Sequence, residues 1–257
     1  MAVDFFKEMG VKEPPSRLFV GGIHGKEGES TIHAIMSAEN LHLSGGSLVL
    51  SNFSPSPYLS TLNPLYYMSL AGGKLLDLIR KYQPQIYLEL HCYHPDKKLK
   101  LTGKNRKELF GVPSLVELEN GVLIGSTSPL IRSVFFDLYD FPFILEIPCQ
   151  PSPESLEVAK KMMEIASKSN NRSQIMEKLS QVYPLQVKIL SDYFKEYSTN
   201  FYPAFFELKK KVQLRDLKNY RDLEELVNEV VSRGSFNLNP AQIKQLTQAY
   251  LIFREHG

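Results

Sequence analysis

The stretch FVGGIHGKEGE, residues 19–29, carries the strongest indication of both fold and function. An apolar run ending at Val20 predicts a strand leaving the core, and Gly21-Gly22 allow a sharp turn with close backbone approach. His24 and Glu27 follow, three residues apart, just before a helical pattern begins. An imidazole and a carboxylate at the end of a strand can converge on one ion, so the stretch favours a metal site.

A second apolar strand, residues 86–90, ends on His91, which is a candidate third ligand. Zinc accepts both ligand types, and catalytic zinc sites usually keep three protein ligands and an open position. We therefore expect one Zn²⁺ held by these three side chains, although Co²⁺, Mn²⁺ and Fe²⁺ share the same ligand types. Two alternatives stay open: His-x-x-Glu also occurs by chance, and a strand-end histidine is often structural. His94 is a rival third ligand that ranks lower, because Pro95 predicts irregular backbone.

Composition excludes several classes of protein. The formal net charge of the 257 residues is +2, which does not favour nucleic acid as a partner. No apolar run reaches the length of a membrane span, and the N-terminus lacks the pattern of a signal peptide. The two cysteines, Cys92 and Cys149, are too few for a disulfide framework, and we interpret them as small buried apolar residues. A cytoplasmic protein is expected.

Strand and helix patterns alternate over residues 1–168, which predicts an α/β domain with helices on both faces of a mixed, mostly parallel sheet. Asn120-Gly121 between apolar segments predicts a hairpin, hence the mixed character. His24, His91 and Glu146 all follow or end predicted strands, and ligands gather at the carboxyl edge of such sheets. The strands are predicted at residues 17–22, 47–53, 86–92, 115–118, 122–125 and 141–148.

Residues 169–257 show helical patterns almost throughout and are predicted to form an α-helical C-terminal appendage. It would pack on the first domain or on another subunit, which makes it the place for homo-oligomer contacts. Residues 208–220 are basic, and a nucleic-acid surface there is an alternative to an ordinary exposed helix face.

Together the motifs resemble the zinc carboxypeptidase superfamily, and within it the branch of succinylglutamate desuccinylase and aspartoacylase. The resemblance covers about the first two-thirds of the chain. It also extends to an uncharacterised archaeal family usually placed beside that branch. The motifs are Gly-Gly-x-His-Gly-x-Glu at residues 21–27, Leu-His at 90–91 and Ile-Leu-Glu-Ile-Pro-x-Gln-Pro at 144–151.

The resemblance implies a three-layer sandwich fold and a role for each matching residue. His24, Glu27 and His91 occupy the metal-ligand positions, and Glu146 occupies that of the catalytic glutamate. Arg132 lies where the branch places a substrate-binding arginine, at a longer spacing from the glutamate, and with Asn63 it could stabilise the oxyanion or orient the substrate. The implied activity is zinc-dependent hydrolysis of an amide bond in an N-acyl amino acid or a peptide.

One departure concerns substrate recognition. The branch has Asp-Leu-Asn-Arg where this chain has Thr61-Leu62-Asn63-Pro64, so the asparagine remains and the arginine is absent. Asn63 could bind a substrate carbonyl or carboxylate, or it could simply form a turn before Pro64. The rival to an enzyme is a metal-binding scaffold or interaction protein that keeps the fold without turnover.

Overall fold

The computed structural model describes residues 3–215 and 219–257, in which helices flank both faces of one mixed sheet. The strand order across the sheet is β1-β3-β2-β4-β7-β6-β5. The strands are β1 (Phe5–Gly10), β2 (Ser16–Gly21), β3 (Ser47–Asn52), β4 (Ile86–Tyr93), β5 (Val116–Glu117), β6 (Leu123–Ser126) and β7 (Phe141–Pro148).

The helices follow the strands in an α/β order up to residue 167 and then continue without further strands among the described residues. A π-helical turn, Tyr197–Phe201, joins α9 to α10. The helices are α1 (Gly28–Ser37), α2 (Pro64–Tyr67), α3 (Leu70–Tyr82), α4 (Lys98–Thr102), α5 (Arg106–Phe110), α6 (Pro129–Phe135), α7 (Pro153–Ser167), α8 (Arg172–Val182), α9 (Pro184–Glu196), α10 (Tyr202–Gln213), α11 (Tyr220–Arg233) and α12 (Pro240–His256).

The centre of the sheet is parallel and both edges are antiparallel. Strands β3, β2, β4 and β7 run parallel, whereas β1 pairs antiparallel with β3, and β6 pairs antiparallel with β7 and β5. The predicted mixed sheet is therefore present, but among the described residues parallel and antiparallel pairings are equally frequent rather than mostly parallel. The edge strand β1 was not predicted. Its sequence mixes polar and apolar residues, because only one side of this strand is partly buried.

Two hydrophobic clusters cover the two faces of the sheet. One joins the sheet to α1, α7 and α8, for example through Ile35, Met162 and Leu179. The other joins it to α3, α6 and the C-terminal helices, for example through Tyr87 and Phe205. The outcome is a layer of helices on each face of the sheet.

The C-terminal helices pack into the same clusters as the sheet, so contacts cross the predicted boundary at residue 168. In the basic stretch 208–220, Lys211 and Arg215 both pair with Glu229, and Lys218 lies outside the described residues. No helix in the described ranges combines the length and apolarity needed to cross a bilayer.

Candidate metal centre

The turn after β2 delivers His24 and Glu27 to the carboxyl edge of the sheet. Gly22 adopts φ +69°, and a Cβ there would lie 2.5 Å from the carbonyl oxygen of Phe53, so only glycine fits. The Tyr66 hydroxyl donates a hydrogen bond of 3.0 Å to the carbonyl of Ile23 and fixes the loop from the other side. The backbone of this turn is thus held on both sides immediately before His24.

The side chains of His24, Glu27 and His91 converge, with one ligand atom of each lying within 4.8 Å of the others. Nδ1 of His24 lies 3.5 Å from Oε1 of Glu27, and Nδ1 of His91 lies 3.2 Å from Oε2 of the same carboxylate. Zinc bonds of about 2.0–2.1 Å in a tetrahedral arrangement put ligand atoms at about this separation. The three residues could therefore hold one metal ion.

His24 is in the protonation state that a metal ligand requires. Burial lowers its pKa to about 4, even though Glu27 opposes the shift. Nδ1 of His24 is also buried without a hydrogen-bond partner in the described chain. A neutral imidazole with an unpartnered nitrogen is a free electron-pair donor, and ligand nitrogens must be deprotonated to bind metal.

His91 lies between two carboxylates, and the second of them, Glu89, was missed in the sequence. Burial alone would lower the pKa of His91, but Glu27 and Glu89 raise it well above its ordinary value. Oε2 of Glu89 lies 3.2 Å from Nε2 of His91. The hydroxyl of Tyr87 donates a hydrogen bond of 3.0 Å to the other oxygen of Glu89, Oε1. A carboxylate can only accept, so both ring nitrogens of His91 carry protons in this structure, Nε2 towards Glu89 and Nδ1 towards Glu27. A metal ion bound at Nδ1 would release the proton there, while Glu89 keeps its hydrogen bond with Nε2. This is the arrangement by which a carboxylate orients a metal-binding histidine.

Glu146 stands beside these residues on β7. It is paired in register with His91 on the neighbouring strand β4. Its Oε2 atom is buried and has no hydrogen-bond partner among the described residues. Burial, with a further contribution from Glu27, raises the pKa of Glu146 to about 7, while His91 and Arg106 act in the opposite direction. A carboxylate with a pKa near neutrality and a free oxygen suits a general base.

A cavity of about 540 Å³ opens onto the three converging side chains and Glu146. Its walls come from both the sheet edge and the C-terminal helices, including residues of α8, α9 and the π-helical turn. Such a volume suits a small molecule or the end of a peptide. The helical region, whose role the sequence did not indicate, thus forms part of the wall.

The other predicted site residues divide into two groups. Arg132 lines the cavity and is 7% exposed, with its guanidinium 4.4 Å from the ring centre of Tyr197. Asn63 instead caps α2, accepting a hydrogen bond of 3.0 Å from the amide of Leu65, and its side chain is not part of the cavity wall. Asn63 thus lies where the chain turns into α2, and its proposed role in substrate binding stays a prediction. His94 reaches the wall but is exposed and is not one of the three converging residues.

Two further arginines of the wall were not singled out in the sequence. Arg106 opens α5 and lies close enough to Glu146 for its charge to act on that carboxyl group. Arg172 opens α8, in the helical region. Both arginines reach the cavity only through long-range packing, which a local sequence pattern does not display.

The two cysteines form a disulfide, contrary to their interpretation as separate buried apolar residues. Cys92 and Cys149 are 57 residues apart in sequence and 4.8 Å apart between Cα atoms. The neighbouring strands β4 and β7 bring them together, because Cys92 pairs with Ile147 and the amide of Cys149 bonds to Tyr93. The sequence could not supply this register. The disulfide ties the two strands immediately beyond His91 and Glu146.

Comparison with known proteins places the chain among archaeal proteins. The family described as "Uncharacterized protein conserved in archaea (DUF2119)" matches residues 12–199. The chain is similar to "Uncharacterized protein MJ0501" of Methanocaldococcus jannaschii, with 36% identity over 203 residues that make up 77% of this chain and 96% of that protein. No solved structure matches the chain.

Proposed function

The chain belongs to the archaeal family DUF2119, and we propose that it is a zinc-dependent hydrolase of amide bonds, either an N-acyl amino acid deacylase or a carboxypeptidase-like enzyme. The observation that carries this proposal is the convergence of His24, Glu27 and His91 beside the unpartnered carboxylate of Glu146. Three ligands with a separate base form the set that metal-assisted hydrolysis requires.

The surroundings of the two histidines support the ligand assignment, since His24 is neutral and His91 would lose only its Nδ1 proton to a metal ion. His24 offers Nδ1 as a neutral nitrogen, and Glu89 holds the proton of His91 on Nε2, so that Nδ1 is directed towards Glu27. Zinc bound to these three residues would polarise a substrate carbonyl and make the attacking water more acidic.

Glu146 acts as the general base in this proposal. Its free Oε2 accepts the proton of the water that attacks the carbonyl carbon, and then passes the proton to the leaving amine nitrogen as the C–N bond breaks. Arg106, whose charge acts on Glu146, favours the ionised carboxylate between turnovers. Arg132 orients the substrate from the cavity wall.

The test is a hydrolysis screen of N-acyl amino acids and short peptides, with and without chelator. We expect release of a free amine that is lost on chelation and restored by zinc. The scaffold alternative predicts bound metal without turnover of any amide substrate, and that outcome would refute the enzyme. Glu146→Gln serves as the matched catalytic control, because it should keep the metal and abolish release.

A further inference from the structure

Two arginines of the cavity wall, Arg132 and Arg172, are placed in a way that a purely structural role does not explain. Arg132 is buried, Arg172 is half-buried, and both line the cavity. The two guanidinium groups share one aromatic ring, that of Phe194, at 5.9 and 3.6 Å from its centre. Two cations thus stand close to one another beside an enclosed space.

Neither guanidinium has a carboxylate partner within ion-pair distance among the described residues. Arg132 donates to the hydroxyls of Ser126 and Tyr197, and the charge of Asp140 acts on it only from a distance. The side chain of Arg172 makes no hydrogen bond in the described chain, and its guanidinium lies over the rings of Phe141 and Phe194. Burial, together with the charge of Arg132, lowers the pKa of Arg172 to about 9. Buried charges are normally paired, so this pair lacks its counter-charge.

Arg17 shows how the same protein treats a structural buried arginine. Its guanidinium is fully buried and donates hydrogen bonds to five acceptors, which tie the start of β2 to the end of α7. A guanidinium carries five N–H donors, and Arg17 uses them within the fold. None of the guanidinium donors of Arg172 makes a hydrogen bond to the described residues.

We propose that Arg132 and Arg172 form an anion subsite that binds an oxyanion, a carboxylate or a phosphate, on the substrate. This rests on the proposed function, because it names the substrate class of the same cavity: amides that carry a negatively charged group. Planar guanidinium groups match such oxyanions with paired hydrogen bonds. The rings of Phe141, Phe194 and Tyr197 form an apolar wall of the subsite, beside which charges attract one another more strongly than in bulk water. Arg172, at the start of α8, would bind the negatively charged group in place of the arginine that the related branch has where this chain has Pro64.

The experiment measures anion binding rather than hydrolysis. Succinate, inorganic phosphate and uncharged succinamide are titrated at constant ionic strength into the wild type and into four variants, Arg172→Met, Arg172→Lys, His24→Ala and Arg221→Met. The exposed Arg221 of α11, which pairs with Glu225, is the matched control for loss of one positive charge. His24→Ala removes a proposed metal ligand and so separates binding at the arginines from binding at a metal.

We expect at least one oxyanion, and not succinamide, to bind the wild type, His24→Ala and Arg221→Met alike. Arg172→Met should weaken binding by about tenfold or more, and Arg172→Lys should lie between them. Without anion, Arg172→Met should melt at or above the wild-type temperature, which shows that it folds. Equal binding by Arg172→Met and wild type, loss of binding in His24→Ala, or no oxyanion binding by the wild type would overturn the subsite. Because the experiment does not measure hydrolysis, the anion subsite and the proposed enzyme activity can each be refuted without the other.

Discussion

His91 and Glu146 lie opposite each other in register on the neighbouring parallel strands β4 and β7. Side chains in register on adjacent strands point to the same face, so a candidate metal ligand and a candidate base share one cavity. Parallel strands also end at one edge of the sheet, which brings the turn after β2 to the same place.

Glu146→Gln should keep the metal and lose hydrolysis. The amide retains the shape of the side chain but cannot accept the proton of the attacking water, so turnover should fall by about a hundredfold or more. The measurement is the rate of amine release together with the metal content of the variant. The exposed Glu157 of α7 is the control position, and Glu157→Gln should leave both unchanged. Full turnover by Glu146→Gln would remove this residue from the mechanism.

Glu89→Gln should weaken zinc binding by about tenfold to a hundredfold, because a carboxylate that orients a ligand histidine contributes on that scale. The change removes the negative charge of the group that accepts from Nε2 of His91, without touching a ligand. Zinc affinity is measured by competition with a chelating dye. Tyr87→Phe, which removes only the hydrogen bond to the other oxygen of Glu89, should have a smaller effect. Unaltered affinity in Glu89→Gln would contradict the orienting role.

The pH dependence of stability should reveal the environment of Glu146 in chelator-treated protein. Burial raises its pKa to about 7 from the ordinary value of 4.5, so between these pH values the folded state holds a proton that the unfolded state has lost. The contribution of Glu146 to the free energy of unfolding therefore falls as pH rises through this window, by up to about 3 kcal/mol.

Urea unfolding of the wild type and Glu146→Gln at a series of pH values isolates this contribution. The variant should gain stability relative to the wild type as pH rises from 4.5 towards 7, since the amide does not ionise. A difference between the two proteins that stays constant with pH would show that the carboxyl group is not held in a desolvated position.

The disulfide between Cys92 and Cys149 should stabilise the fold. It closes a loop of 57 residues, and loss of such a crosslink typically costs about 2–4 kcal/mol. Unfolding by urea with and without reductant should show that loss in the wild type. Cys149→Ser should already be destabilised and should not respond to reductant. Two reactive thiols in the native, oxidised protein would contradict the crosslink.

Sequence patterns were sufficient where the structure is local. The strand predicted at residues 141–148 is β7, and the hairpin at Asn120-Gly121 is present, with φ of 50° and 78° at its two central residues. Helix α3 begins at Leu70, so Gly72 does not open it. Gly72 instead provides close contact with the backbone of Tyr66, a tertiary requirement that no local pattern displays.

The residues of the candidate site also divide into those with a local sequence signal and those without one. His24, Glu27 and His91 could be singled out because their ligand types follow or end apolar strands. Glu89 also carried a signal, since it lies two residues before His91 in an apolar strand and therefore points to the same face.

The arginines and the disulfide had no such signal. Arg106 and Arg172 reach the cavity through helices that pack from distant parts of the chain. The cysteines meet through the register of β4 and β7. Neither the packing nor the register can be deduced from one sequence.

The metal content of the purified protein tests the central claim most directly. Elemental analysis of the wild type, His24→Ala and His33→Ala compares a proposed ligand with an exposed histidine of α1 that lies outside the three converging residues. We predict about one zinc per chain in the wild type and in His33→Ala, and little or none in His24→Ala. Wild-type protein that stays metal-free after exposure to zinc, or His24→Ala that holds as much zinc as the wild type, would contradict the account.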